Sequence, residues 1–397
     1  MFARLLTTAF VFASVSRVAA QTIDDMDAVR FEAPRDEQKN PRATASLVPG
    51  KQGKAVRFDF GDKCQSALFT RRLQPDASWD QAEGFSFWVR GDGSDHLGGI
   101  ELIHADDYSR RYAFAFSIRD TGWRKIAVAW RDLLPETAAA PFLDRAPAGA
   151  APSRFTSLFI GKWWYWRDYA AHSFELDEIV LEPKVAAAAV APPRRLVDTL
   201  KAGQTITIAT MGDSLTDVAH WANRKTNWPA LLKERLAAEC AVKVNLVNPA
   251  LGGTELKQNL ILMTRWTETT KPDVVTVFFG YNDWSSGMRG PHWKETLANA
   301  IDHIRRQTGA EVILLTTIPS VERWDAMAEL AQAAREVVQA KGAILADTEK
   351  AFHAAGDADV AARERLYCDD KVHLGDEGHR LVAETVLAAI RAASASR

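Results

Sequence analysis

Cysteine is almost missing from this sequence: Cys64, Cys240 and Cys368 are the three in 397 residues. So small and odd a set excludes a disulfide framework, and its spacing fits no zinc site, so stability has to come from packed cores. Cys368 stands close to Asp370 and His373 but reads as a small buried filler, not a nucleophile. Blocks of like charge are missing too. The formal net charge is -2, which leaves nucleic acid and anionic membranes without electrostatic support as partners. Beyond the N-terminus there is no apolar run long enough to cross a bilayer.

The N-terminal run is of another kind. Arg4 supplies a positive charge, Leu5 to Val15 a short apolar stretch, and Val18-Ala19-Ala20 small residues before a cut. Residues 1–20 therefore read as a secretory signal cleaved ahead of Gln21. The alternative, an uncleaved anchor, needs a longer span. The expected location is secreted or periplasmic, without membrane contact after cleavage.

Two domains are expected from the length. Residues 21–183 carry short alternating or aromatic runs: Ala55 to Phe60, Gly84 to Val89, Gly99 to His104, Tyr112 to Ile118, Lys125 to Trp130, Ser157 to Ile160 and Phe174 to Leu181. Glycine, aspartate and proline punctuate them, which predicts an all-β sandwich or jelly roll. The run from Phe174 is expected to close the domain by pairing near Asp27 to Phe31. The pattern is similar to the galactose-binding-like jelly rolls among carbohydrate-binding modules. Trp163-Trp164-Tyr165-Trp166 offers flat rings for stacking on sugars, although core packing is the plainer reading. Asp24, Asp25, Asp177 and Glu178 carry hard oxygens suited to calcium, but scattered solvated carboxylates are the plainer reading and no metal is assigned. Residues 184–195, alanine-rich and bracketed by prolines, read as a linker.

From residue 196 to 397 the rhythm changes to α/β. Nearly continuous apolar runs predict strands at Thr205 to Met211, Val242 to Val247, Val274 to Phe279, Val312 to Ile318 and Ile344 to Ala346. Helical patterns separate them, starting near Asn227-Trp228-Pro229, Trp293, Trp324 and Asp376. A five-stranded parallel sheet covered on both sides by helices, a flavodoxin-like three-layer fold, follows. The polar residues gather after the strands: Gly212-Asp213-Ser214-Leu215, Leu251-Gly252-Gly253-Thr254, Gly280-Tyr281-Asn282-Asp283, and Asp370-Lys371-Val372-His373 before the last helix. In open α/β sheets that edge is where active sites form.

Ester hydrolysis needs the residue types found there. A serine hydroxyl, Ser214, needs a base to react. His373 suits that role, and Asp370, three residues earlier, can hold its tautomer. The oxyanion donors are expected to be the backbone N–H of Ser214 and of Gly253 and the side-chain amide of Asn282, with Gly252 as a rival to Gly253. Asp213 and Asp283 are expected to brace their turns. His220, His292 and His379 are expected at the surface or as caps. Tyr281, Trp284, Arg323 and Trp324 are candidates for lining a substrate cleft.

These four stretches resemble the blocks of the SGNH hydrolase superfamily, also called GDSL esterases or lipases. Its named residues map onto Ser214, Gly253, Asn282 and His373, with Asp370 completing the set. One departure is the missing serine before the second-block glycines; another is the bulky Tyr281 at a variable position. The resemblance implies a serine esterase working without metal or organic cofactor. With an appended jelly roll it also implies deacetylation of a polysaccharide, an acetylated glycan being the partner. The competing expectations are a lipid or thioester hydrolase, and a carbohydrate-binding protein whose hydrolase domain is inactive.

Overall fold

A computed structural model describes residues 21–34, 43–64, 68–138, 140–143, 151–163, 170–186 and 196–395, without the side chains of residues 162 and 163. The expected signal segment, most of the expected linker, and Trp164, Tyr165 and Trp166 lie outside the described residues.

Among the described residues, the first half of the chain forms eleven strands: β1 (Thr22–Asp24), β2 (Thr44–Pro49), β3 (Lys54–Phe60), β4 (Leu68–Arg72), β5 (Gly84–Gly91), β6 (Leu97–His104), β7 (Asp107–Ser117), β8 (Arg124–Ala129), β9 (Leu134–Pro135), β10 (Phe155–Trp163) and β11 (His172–Glu182). They build two antiparallel sheets. One runs β2-β3-β11-β5-β8 with β1 added on β11, the other β4-β10-β6-β7-β9. Alternation along the strands sends Phe58, Phe60, Phe69, Phe87, Phe116, Phe155 and Phe174 into one buried cluster between the sheets. The aromatic richness of this half is thus mainly its core.

One pairing differs from expectation. The closing strand β11 takes Thr22–Asp24 as partner, with Thr22 opposite Val180 and Asp24 opposite Ile179. Asp27 instead accepts the backbone N–H of Lys54 at 2.7 Å through its side chain. Three of the four carboxylates considered for calcium have protein donors: Asp24 pairs with Arg30 and Arg71, Asp25 with Arg30, and Asp177 accepts the N–H groups of Lys51 and Gln52.

The second half holds β12 (Ile206–Gly212), β13 (Val244–Val247), β14 (Val274–Phe278), β15 (Glu311–Leu315) and β16 (Ile344–Ala346), all parallel, in the order β13-β12-β14-β15-β16. Buried on both faces, β14 reads as an apolar run interrupted by Thr276 alone. Among the helices that cover the sheet, α1 (Trp228–Cys240) is capped by the Asn227 side chain on the N–H of Ala230. Others are α2 (Leu256–Ile261), α3 (Tyr281–Ser285), α4 (Gly290–Thr308), α5 (Ala328–Lys341) and α6 (Asp376–Ala395). The chain leaves β13 at one edge and crosses beyond β12 to β14. The carboxyl ends of β12 and β14 therefore flank the point where the winding direction reverses, which is where open α/β sheets bind their ligands. No described helix is long and apolar enough to cross a membrane.

The halves share a core. Leu97, Ala113, Ala115, Leu134 and Phe142 from the sandwich side are buried in one cluster with Leu256, Leu260 and Trp266. Lys257, on α2, is buried and donates to three backbone carbonyls of the sandwich side: Thr137 at 3.0 Å, Ala138 at 3.2 Å and Ala140 at 2.9 Å.

Candidate active site

Ser214 follows β12 directly, on a turn laced to its surroundings. The Asp213 carboxylate accepts the N–H of Leu215 at 3.0 Å. Asn223 donates its amide to the carbonyls of Ser214 and Asp217, both at 2.7 Å. Asn248, after β13, donates to Thr210 at 2.8 Å and to the Thr216 carbonyl at 2.9 Å. These bonds fix where the Ser214 hydroxyl points.

His373 comes from the loop before α6 and meets that hydroxyl, Nε2 lying 2.9 Å from Ser214 Oγ. Its Nδ1 is 2.5 Å from Asp370 Oδ2. The other oxygen of Asp370 accepts the backbone N–H of His373 at 3.0 Å and of Val372 at 3.1 Å. Partial burial pushes the Asp370 carboxyl up, but the His373 ring and these two N–H groups outweigh it and hold it below the ordinary value. Asp370 therefore stays charged and holds Nδ1 protonated, leaving Nε2 to take the serine proton. Cys368 is only half-buried. Its thiol bonds the Leu374 carbonyl, and burial with Asp370, Asp369 and Asp376 nearby pushes it up, away from the thiolate form.

Two backbone donors of these loops, the N–H groups of Ser214 and Gly253, have no hydrogen-bond acceptor among the described residues. Gly253 takes φ +77°, a backbone conformation that a side chain would strain. The rivalry with Gly252 has a structural answer, because the Gly252 N–H is bonded to Asp217 Oδ2 at 2.9 Å. Asn282 sits on α3 just past Gly280, whose φ of +136° and contact with Thr317 leave no room for a Cβ. Its amide donates to the Thr254 carbonyl at 3.1 Å, which orients it beside the glycine loop, while Asp213 Oδ2 lies at 3.5 Å.

Two buried carboxyls lie under the site. Burial pushes Asp213 up to about 7, against the pull of the N–H groups of Leu215 and Asp213. Asp283 is pushed well above the usual range by burial first and then by Glu255, and its Oδ1 accepts the N–H of Leu256 at 3.0 Å. Asp283 thereby ties the start of α2, and so the end of the glycine loop, to α3.

The expected cleft residues divide. Tyr281 and Trp284 are half-buried on α3, and the exposed Arg323 lies over the Trp284 ring at 5.0 Å. Trp324 is a correction: it is 5% exposed, packs in the core with Phe352 and Tyr367, and donates Nε1 to Asp357 at 2.7 Å. Substrate does not reach it. His379, expected at the surface or as a cap, is buried and takes the second role, accepting the N–H of Trp228 at the start of α1. His292 is exposed as expected.

Sequence reasoning passed over Asp217, Trp221 and Asn223 and took His220 for a surface or cap residue; its ring does cap the short turn at Trp221, accepting the N–H of Ala222. His220 stacks on His373 with ring centroids 4.4 Å apart and planes at 27°. Trp221 is 54% exposed and stands edge-on to His373 at 5.6 Å. The available signal was position: they follow Ser214 within one tight loop.

Residues 210–381 match the model of the GDSL-like Lipase/Acylhydrolase family. Among solved structures, the acetylxylan esterase Axe2 of Geobacillus stearothermophilus is similar at 21% identity over 48% of this chain and 96% of its own, with a TM-score of 0.40. The lipase/acylhydrolase of Enterococcus faecalis is 24% identical over 47% of this chain and 96% of its own, TM-score 0.40. LAE5, an alpha/beta hydrolase enzyme from the metagenome of Lake Arreo, is 23% identical over 47% and 95%, TM-score 0.39. No curated protein matches the chain by sequence. The four sequence blocks thus gather at the carboxyl edge of a parallel sheet, within the residues 210–381 that match the GDSL-like Lipase/Acylhydrolase family model, and this match supports a hydrolase acting on esters.

Proposed function

We propose that the protein is a secreted serine esterase that removes acetyl groups from a polysaccharide or oligosaccharide through an acyl-enzyme on Ser214. The observation that carries the chemistry is the continuous hydrogen-bonded chain Ser214–His373–Asp370. His373 Nε2 takes the Ser214 proton as Oγ attacks the ester carbonyl. The N–H groups of Ser214 and Gly253 and the Asn282 amide stabilise the tetrahedral oxyanion, one such donor being worth about 3 kcal/mol. His373 then gives the proton to the leaving alcohol oxygen, and the acyl-enzyme forms. A water, deprotonated by the same imidazole, releases the acid and regenerates the serine.

Three features support the glycan part of the reading. The N-terminal sequence has the pattern of a secretory signal. A β-sandwich precedes and packs on the hydrolase domain. The rim of the site carries Trp221, Tyr281 and Trp284, flat rings suited to sugar faces. Acetate release from a panel of acetylated plant, algal and bacterial glycans tests it directly. A companion series of chromogenic esters of increasing acyl length tests the acyl part. Preference for long chains over acetyl overturns the acetylesterase reading and favours a lipase-like one.

A further inference from the structure

We propose that His220 is a substrate-binding residue whose Nε2–H donates to a hydroxyl or ether oxygen adjoining the ester in the alcohol part, selecting esters of polyhydroxylated alcohols. The inference rests on Ser214 and His373 being the reacting pair. It adds a specificity-determining side chain that the four family blocks do not contain.

The tautomer is fixed by the fold. The backbone N–H of Ala222 donates to His220 Nδ1 at 3.4 Å. A ring nitrogen that accepts carries no proton, so in the neutral ring the hydrogen is on Nε2. The ring is held neutral: burial, and then the adjacent His373, push its pKa down. Asp217, the nearest carboxylate in the loop, does not take up this proton. Its two oxygens accept the N–H groups of Ala219 at 2.9 Å and Gly252 at 2.9 Å. No acceptor for Nε2–H is found among the described residues, and the side chain is half-exposed.

The position of the ring says which part of a substrate it would meet. Its Cδ2, bonded to Nε2, lies 3.4 Å from the point where a Cβ on Gly252 would stand, and that point is 3.6 Å from Ser214 Cβ. One edge of the ring therefore borders the nucleophile and the glycine loop, while its face lies on His373. Since His373 delivers the proton to the leaving oxygen, the alcohol part of the ester sits beside His373. His220 is stacked there, and Trp221 continues the same wall as an exposed ring. A donor next to a flat apolar face is complementary to an alcohol that offers oxygens beside its C–H surface.

A matched pair of acetates tests this: 2-hydroxyethyl acetate against propyl acetate, which differ by a hydroxyl for a methyl. The quantity read is the ratio of their kcat/KM values, which does not depend on the amount of active enzyme. In His220→Phe, which keeps a flat ring, the ratio is expected to fall at least fivefold from the wild-type value, and His220→Leu to behave alike. His220→Gln, which restores a donor, is expected to recover part of the ratio. An unchanged or raised ratio in the Phe and Leu variants overturns the proposal, whatever their absolute rates. The test is separable from the glycan reading: glycans that release no acetate, alongside a ratio that falls, sink only the polysaccharide substrate.

Discussion

The side chain of Asp217 accepts the backbone N–H of Gly252 at 2.9 Å, so the turn that carries Ser214 holds the loop that carries Gly253. This bond leaves Gly253 as the loop's available donor and sets its distance from Ser214. Asp217→Ala is expected to lower kcat on 4-nitrophenyl acetate roughly tenfold, part of what a misplaced oxyanion donor costs, with KM little changed. Asp217→Asn keeps an acceptor and should lose less. An unaltered kcat in the alanine variant removes Asp217 from this role.

Ser214→Ala is expected to abolish hydrolysis and labelling by a fluorophosphonate while the melting temperature stays near wild type. His373→Ala should cost on the order of a thousandfold or more in kcat. Asp370→Ala should cost less, because Asp370 acts by orienting His373 and is itself partly solvated. Steady-state kinetics on one short ester give all three. Residual activity in Ser214→Ala comparable to wild type refutes the assigned nucleophile.

The buried Asp213 gives a pH signature of stability. Its carboxyl is pushed up to about 7 in the folded chain against an ordinary value of 3.8. Between these values the unfolded chain has lost the proton and the folded chain keeps it. The folded state binds more protons there, so stability falls as pH rises from about 4 to about 7 and then levels. Asp213→Asn should flatten this segment of a curve of urea midpoint against pH. An identical slope in the variant contradicts the placement of the proton.

Buried imidazoles act on the acid side with the opposite sign. Burial pushes His303 down to about 3 and His379 to about 4, from 6.5. Unfolded histidines protonate below pH 6.5 and these two resist, so stability falls as pH drops through that window and levels below the folded values. His303→Gln should reduce the acid-side loss measured by thermal unfolding at pH 4 to 6.5, and an unchanged loss counts against burial as its cause.

Lys257→Met removes the ammonium that three sandwich-side carbonyls share. Each carbonyl then lacks its donor in a buried setting. The expected loss is about 2–4 kcal/mol of unfolding free energy, read from urea denaturation by circular dichroism. A loss below about 1 kcal/mol would mean that water replaces the ammonium.

Much of the hydrolase half was legible because strands covered on both faces need apolar side chains throughout. Ile344 to Ala346 was placed to the residue, and Val274 and Val247 marked true strand ends. The sandwich was harder. Its edge strands Thr44–Pro49 and Leu68–Arg72 are half-exposed and carry Thr70, Arg71 and Arg72, so no apolar alternation marks them. The helix expected from Trp324 begins at Ala328, since Trp324 turns inward to Asp357 before the helix starts. Spacing along the chain located Ser214, Gly253, Asn282, Asp370 and His373. It had no means of showing that His220 would lie on a histidine brought from the far end of the chain, because only the fold makes them neighbours.

The cluster that joins Leu97, Ala113 and Phe142 to Leu256 and Leu260 also bears on how far the protein is modular. Stripping away the sandwich would uncover the apolar side of the helix that begins just after the glycine loop and would leave the Lys257 ammonium among uncompensated neighbours. The sandwich is therefore not a detachable tether but part of the wall against which the catalytic loop is built. Transplanting this catalytic half behind another binding module would require the new partner to present the same small apolar residues and carbonyls, or a redesigned α2.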